Sequence, residues 1–212
     1  MIDSYLTLSG FSREEIVISK SRFIGYAAPF QDETQTLAFL QRIRNDHRTA
    51  THHCYAYVIG ENSGVMRYSD DGEPGGTAGM PMMDVLRTKG LVNCCVVVVR
   101  YFGGVLLGTG GLVRAYTQAA QRAVEASGIA RMELTSEEIC ELPYSVWDRF
   151  RYTADRLPVR IEDIVYGSSV NCRLLFRSCD RETVLPKLAD AAERKWETLS
   201  GEERFSPWRT DP

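Results

Sequence analysis

Cysteine, histidine, long apolar runs and surplus positive charge are all scarce in this chain, and each scarcity closes off a class of protein. Only six of its 212 residues are cysteine and no two form a C-x-x-C pair, which argues against a disulfide scaffold or a zinc finger. The three histidines, His47, His52 and His53, have no second Cys/His pair at ligand spacing, so no metal and no cofactor are expected. No apolar stretch approaches the ~18 residues of a membrane span, and Met1-Ile2-Asp3-Ser4-Tyr5 carries an acid where a secretory leader carries bases. A cytoplasmic protein with reduced thiols and no membrane partner is expected. Lysine and arginine number 25 against 28 acidic residues, so no long-range field draws the chain to phosphate backbones. Contact with nucleic acid would need a local patch.

What is present is ordinary globular material, 44% hydrophobic and 25% charged, long enough for one or two small domains. Residues Glu15 to Ala28 read as a hairpin, and Asp32 with Gln35 opens a helix to about His47 whose apolar face holds Leu37, Phe39, Leu40 and Ile43. Strands are predicted at His53 to Ile59 and Val65 to Tyr68, then a helix over Met82 to Lys89. Val96 to Val99 suits a strand buried on both faces, with Cys94 and Cys95 as small buried neighbours. A helix from about Thr109 stops at Gly128. From Glu133 onward the order is strand, helix, two strands and a helix over Arg181 to Leu199. A short strand near Arg204-Phe205 would complete a ferredoxin-like pattern. Residues 1–132 hold 13 basic against 12 acidic side chains and 133–212 hold 12 against 16, which places a domain boundary there.

Two segments could carry chemistry. Ser69 to Pro81 contains four glycines and two prolines, too many for a regular element, and its Asp70, Asp71 and Glu73 are candidates for acid and base work or cation binding. The second is the strand from Val96, its glycine-rich turn and the helix beyond. Free N–H groups of Thr109, Gly110 and Gly111 would receive a phosphate or carboxylate, with Arg100, Tyr101 and Arg114 beside them. Neither a Walker motif nor a dinucleotide fingerprint fits, because Thr109 stands where the lysine belongs and Val113 where the third glycine belongs.

Asp70-Asp71-Gly72-Glu73-Pro74-Gly75-Gly76-Thr77 and Val99-Arg100-Tyr101-Phe102-Gly103-Gly104, with Gly108-Thr109-Gly110-Gly111-Leu112-Val113-Arg114, strongly resemble the IMPACT family in its bacterial form. Lys20-Ser21-Arg22-Phe23-Ile24 and His52-His53-Cys54 resemble its other landmarks, in the same order along the chain. The resemblance implies an α+β fold of two domains, a left-handed βαβ domain like domain IV of elongation factor G over 1–132 and a ferredoxin-like βαββα domain like its domain V over 133–212. It also implies a link to translation. The eukaryotic members act there through an additional amino-terminal domain that is not expected here. Two functions follow as expectations. One is a binding protein that engages RNA, the ribosome or a translation factor through the first domain. The other is an enzyme acting on a small phosphorylated or acidic ligand held between the Asp70 and Gly108 loops.

Overall fold

The computed structural model describes residues 2–208, in an α+β fold whose described residues form two sheets and five α-helices. The chain gathers into two compact units, Tyr5–Arg131 and Met132–Trp208, the latter taking in the residues up to Ser4.

The first unit runs β1 (Ser4–Leu8), β2 (Ser12–Ile18), β3 (Ser21–Pro29), α1 (Glu33–Asp46), β4 (His52–Ile59), β5 (Val65–Ser69), α2 (Gly79–Thr88), β6 (Cys94–Tyr101) and α3 (Gly108–Ser127). Its sheet has the order β2-β3-β6-β4-β5, with every neighbouring pair antiparallel. β3 and β4 are therefore parallel, with β6 between them. Because side chains alternate across a strand, Cys94, Val96 and Val98 pack with α2 and α3, whereas Cys95, Val97 and Val99 pack with Phe39, Leu40 and Ile43 of α1. All six are at most 1% exposed, so β6 is covered on both faces as its unbroken apolar run requires. Burying each valine contributes roughly 1.5–3 kcal/mol.

Asp32 caps α1 by accepting from the Gln35 N–H at 2.8 Å, as the sequence predicts. Leu37 departs from expectation and is 50% exposed, because the buried stripe is Thr36, Phe39, Leu40 and Ile43. β1 was not predicted. It holds the segment just before β6 through Thr7, whose hydroxyl donates to the Asn93 carbonyl at 3.0 Å.

The second unit runs β7 (Ile129–Leu142), α4 (Tyr144–Ala154), β8 (Val159–Tyr166), β9 (Val170–Arg177), α5 (Arg181–Ala191) and β10 (Glu197–Trp208), with β7 beginning just before the unit does. The second sheet has the order β1-β7-β9-β8 with β10 also pairing β7, and its β10-β7-β9-β8 part is that of the split βαβ pattern. Its core sets Trp147, Phe150, Val184 and Leu188 against Cys140, Leu142, Cys172 and Leu174. The helix expected to reach Leu199 stops at Ala191, because Glu193 and Arg194 turn with φ of +53° and +57°, conformations that end a helix. The residues beyond then form a twelve-residue strand where a short one was expected.

Candidate functional site

The loop from β5 to α2 is held by its own carboxylates. Asp70 accepts from the N–H groups of Gly76 (2.8 Å), Ala78 (3.0 Å) and Gly79 (2.8 Å), which closes the loop and satisfies the start of α2. Burial raises its pKa, but the three amides more than offset this and hold the carboxyl below its usual range. Asp71 accepts from the His53 N–H at 2.6 Å, and its carbonyl oxygen lies 2.8 Å from His52 Nδ1. Both aspartates are thus engaged with the backbone and side chains around them, in the loop-shaping role of turn residues.

Glu73 turns the other way, into the protein, where it is 8% exposed. Its Oε1 accepts from Arg100 Nη1 and from the Tyr116 hydroxyl, each at 2.7 Å, and His52 Nε2 lies 3.8 Å away. Register explains the meeting, since His52 on β4 is the cross-strand partner of Arg100 on β6. The Arg100 guanidinium lies over the rings of Phe23 and Phe102, 5.3 and 5.4 Å from their centroids. Its Nη2 reaches Ser21 Oγ at 3.4 Å, and its buried Nε has no partner among the described residues. Burial, followed by Cys54 and Glu73, pushes the Tyr116 hydroxyl far above the ordinary phenol range. Burial likewise pushes the Cys54 thiol up to about 12, opposed by its bond with Tyr116 and reinforced by Glu73, which favours the neutral thiol.

Above this cluster a pocket of about 410 Å³ opens. Thr51, His52, Glu73 and Arg100 form its polar side, and Pro74, Phe102, Leu106, Leu107 and Leu112 its apolar side. Gly108 and Thr109, at the start of α3, complete it. The N–H groups of Gly108, Thr109 and Gly110 precede the first intrahelical bond of α3, whereas that of Gly111 belongs to the helix.

Of the predicted site residues, Glu73, Arg100 and Thr109 meet at the pocket wall. Tyr101 faces the opposite side of the sheet, where its hydroxyl bonds His47 Nδ1 at 2.8 Å. Arg114 is exposed and outside the pocket lining. At about 100° per residue it falls on the side of α3 away from Leu112. Thr51, His52, Pro74, Leu106, Leu107 and Leu112 also line the pocket without being singled out for it by the sequence, whereas Phe102 is there as an aromatic able to stack. His52 was weighed only as a metal ligand, and the signal that would have found it is the β4–β6 register. Among the described residues no three His, Cys, Asp or Glu side chains are placed to hold a metal ion.

A Cβ at Gly110 would meet nothing within 4 Å, and its φ is not positive, so the fold does not require glycine there. Gly110→Ala is expected to raise stability by about 0.5–1 kcal/mol in urea denaturation. A loss would show that the first turn needs the freedom of glycine.

Comparison with known proteins agrees with this architecture. Residues 19–124 match the model of the Impact N-terminal domain. The chain belongs to the IMPACT family. It is 35% identical over 188 residues to the IMPACT family member YigZ of Escherichia coli, covering 88% of this chain and 92% of that one. Similarity to the IMPACT family member YvyE of Bacillus subtilis reaches 46% over 134 residues, 63% of this chain and 62% of the relative's length. A crystal structure of a hypothetical protein superimposes with a TM-score of 0.62 at 32% identity, covering 94% of this chain and 98% of the other.

Proposed function

We propose that this chain is a binding protein linked to translation, and that it engages RNA through the pocket of its first unit. The link to translation comes from the family resemblance. The choice of RNA rests on one observation: an exposed aromatic ring, Phe102 at 45%, stands beside the free amides that open α3. A phosphate suits those amides and the partial positive charge of the helix start. An unstacked base suits the face of Phe102, with Leu106, 87% exposed, alongside. The near balance of charge over residues 1–132 implies that affinity arises from these contacts and that its dependence on salt is shallow.

Fluorescence anisotropy with a short single-stranded RNA tests the reading. Stacking contributes about 1–3 kcal/mol per base, so Phe102→Ala should weaken binding roughly tenfold or more. The melting temperature should fall only modestly, because the ring belongs to neither apolar cluster of the unit and covers only the Arg100 guanidinium. Unchanged affinity in the variant, or no binding by the parent chain, would overturn the proposal.

A further inference from the structure

His52 carries an acceptor that no described residue uses. Its Nδ1 lies 2.8 Å from the carbonyl oxygen of Asp71. A carbonyl only accepts, so Nδ1 holds the hydrogen, and in the neutral ring Nε2 keeps its lone pair. That arrangement is fixed, because Asp71 is tied on two further sides: its carboxylate accepts from the His53 N–H, and its own N–H donates to Ser69 Oγ at 3.1 Å. Nε2 finds no donor in Glu73, whose Oε1 is 3.8 Å away and already accepts from Arg100 and Tyr116. With the ring neutral, the pocket wall presents this lone pair to whatever enters.

Donors for an anion stand on the same pocket. The amides of Gly108 and Thr109 at the start of α3 line it, and Arg100 sits on its polar side with Nη1 and Nη2 held by Glu73 and Ser21. A phosphate group, which accepts only, suits these donors and cannot satisfy Nε2. The ligand that satisfies both carries a hydroxyl next to its phosphate. Resting on the RNA reading above, we propose that His52 makes the pocket select RNA over DNA: Nε2 accepts a hydrogen bond from the ribose 2′-hydroxyl of a nucleotide whose phosphate lies at the start of α3. The 2′-hydroxyl is the one donor that DNA lacks at this position.

Anisotropy titrations of the full chain with three single-stranded oligonucleotides of one sequence provide the test: RNA, DNA with deoxyuridine, and 2′-fluoro RNA. The fluoro sugar keeps the pucker of RNA but has no donor. RNA is expected to bind roughly tenfold more tightly than the other two. His52→Asn retains an amide donor where Nδ1 stands and places no acceptor where Nε2 stands. It should bring the ratio of RNA to DNA affinity down to about one. Equal binding of all three oligonucleotides by the parent chain overturns the role of His52 and leaves the RNA reading standing. Tight binding of RNA and 2′-fluoro RNA alike also overturns it, since shape and not the donor would then be read. Failure to bind any of the three removes the RNA reading and this inference with it.

Discussion

Arg100→Met should destabilise the first unit by about 3–5 kcal/mol, the range seen when one member of a buried ion pair is removed. The side chains of Arg100 and Glu73 are 6% and 3% exposed, so neither charge can turn to water when its partner goes. Glu73 would keep the Tyr116 hydroxyl and lose the cation. Methionine fills much of the space between Phe23 and Phe102, which isolates the electrostatic loss from that of a cavity. Urea denaturation of the single variants and of Arg100→Met with Glu73→Gln completes a double-mutant cycle. The double variant should recover part of the loss, because no uncompensated charge then remains buried. A cost below about 1 kcal/mol for Arg100→Met alone, the size of an average point mutation, would mean that Glu73 is compensated by other groups.

Gly103→Ala should be comparably damaging for a steric reason. A Cβ there would stand 2.1 Å from the Lys20 carbonyl carbon, 2.2 Å from its oxygen and 2.4 Å from the Ser21 nitrogen. These are backbone atoms. Lys20 sits in the tight β2–β3 turn, where Ser19 and Lys20 have φ of +47° and +66°, so retreat would strain an already constrained segment. The Gly103 N–H also donates to Ser21 Oγ at 3.1 Å, the hydroxyl that Arg100 Nη2 reaches. Overpacking of this kind costs about 1–3 kcal/mol and occasionally more, and a collision between two backbones belongs at the upper end. A melting temperature within a degree or two of the parent would show that the turn moves freely.

Local rules make much of the fold legible and stop short of the site. Alternation and β-branching mark Val96 to Val99, the Asp32–Gln35 pair marks the start of α1, and Gly128 marks the end of α3. The first part of β10 escapes because residues 197–204 are all exposed, leaving no alternation to read. Within the Asp70 loop, three carboxylates in four residues look equivalent. They differ because Asp70 finds amides six to nine positions onward, Asp71 finds β4, and Glu73 finds an arginine twenty-seven residues away. Only the last contact makes a pocket wall, and it depends on a strand pairing that nothing local encodes. Tyr101 and Phe102 look equally eligible as stacking partners, yet the pleat sends one to His47 and leaves the other at the pocket.

The place of β6 in the sheet also shapes the order of events during synthesis. It is the last of its five strands to leave the ribosome, yet it fills the gap between β3 and β4. Until Tyr101 has emerged, the nascent chain holds two hairpins, β2–β3 and β4–β5, each with an unpaired apolar edge. Two-stranded pieces of this kind are marginal in water, so the unit gains its cooperative stability in one late step, when a single apolar strand docks between two waiting edges. Until then both edges remain open to pairing with another chain, and the speed of that docking sets how long the exposure lasts.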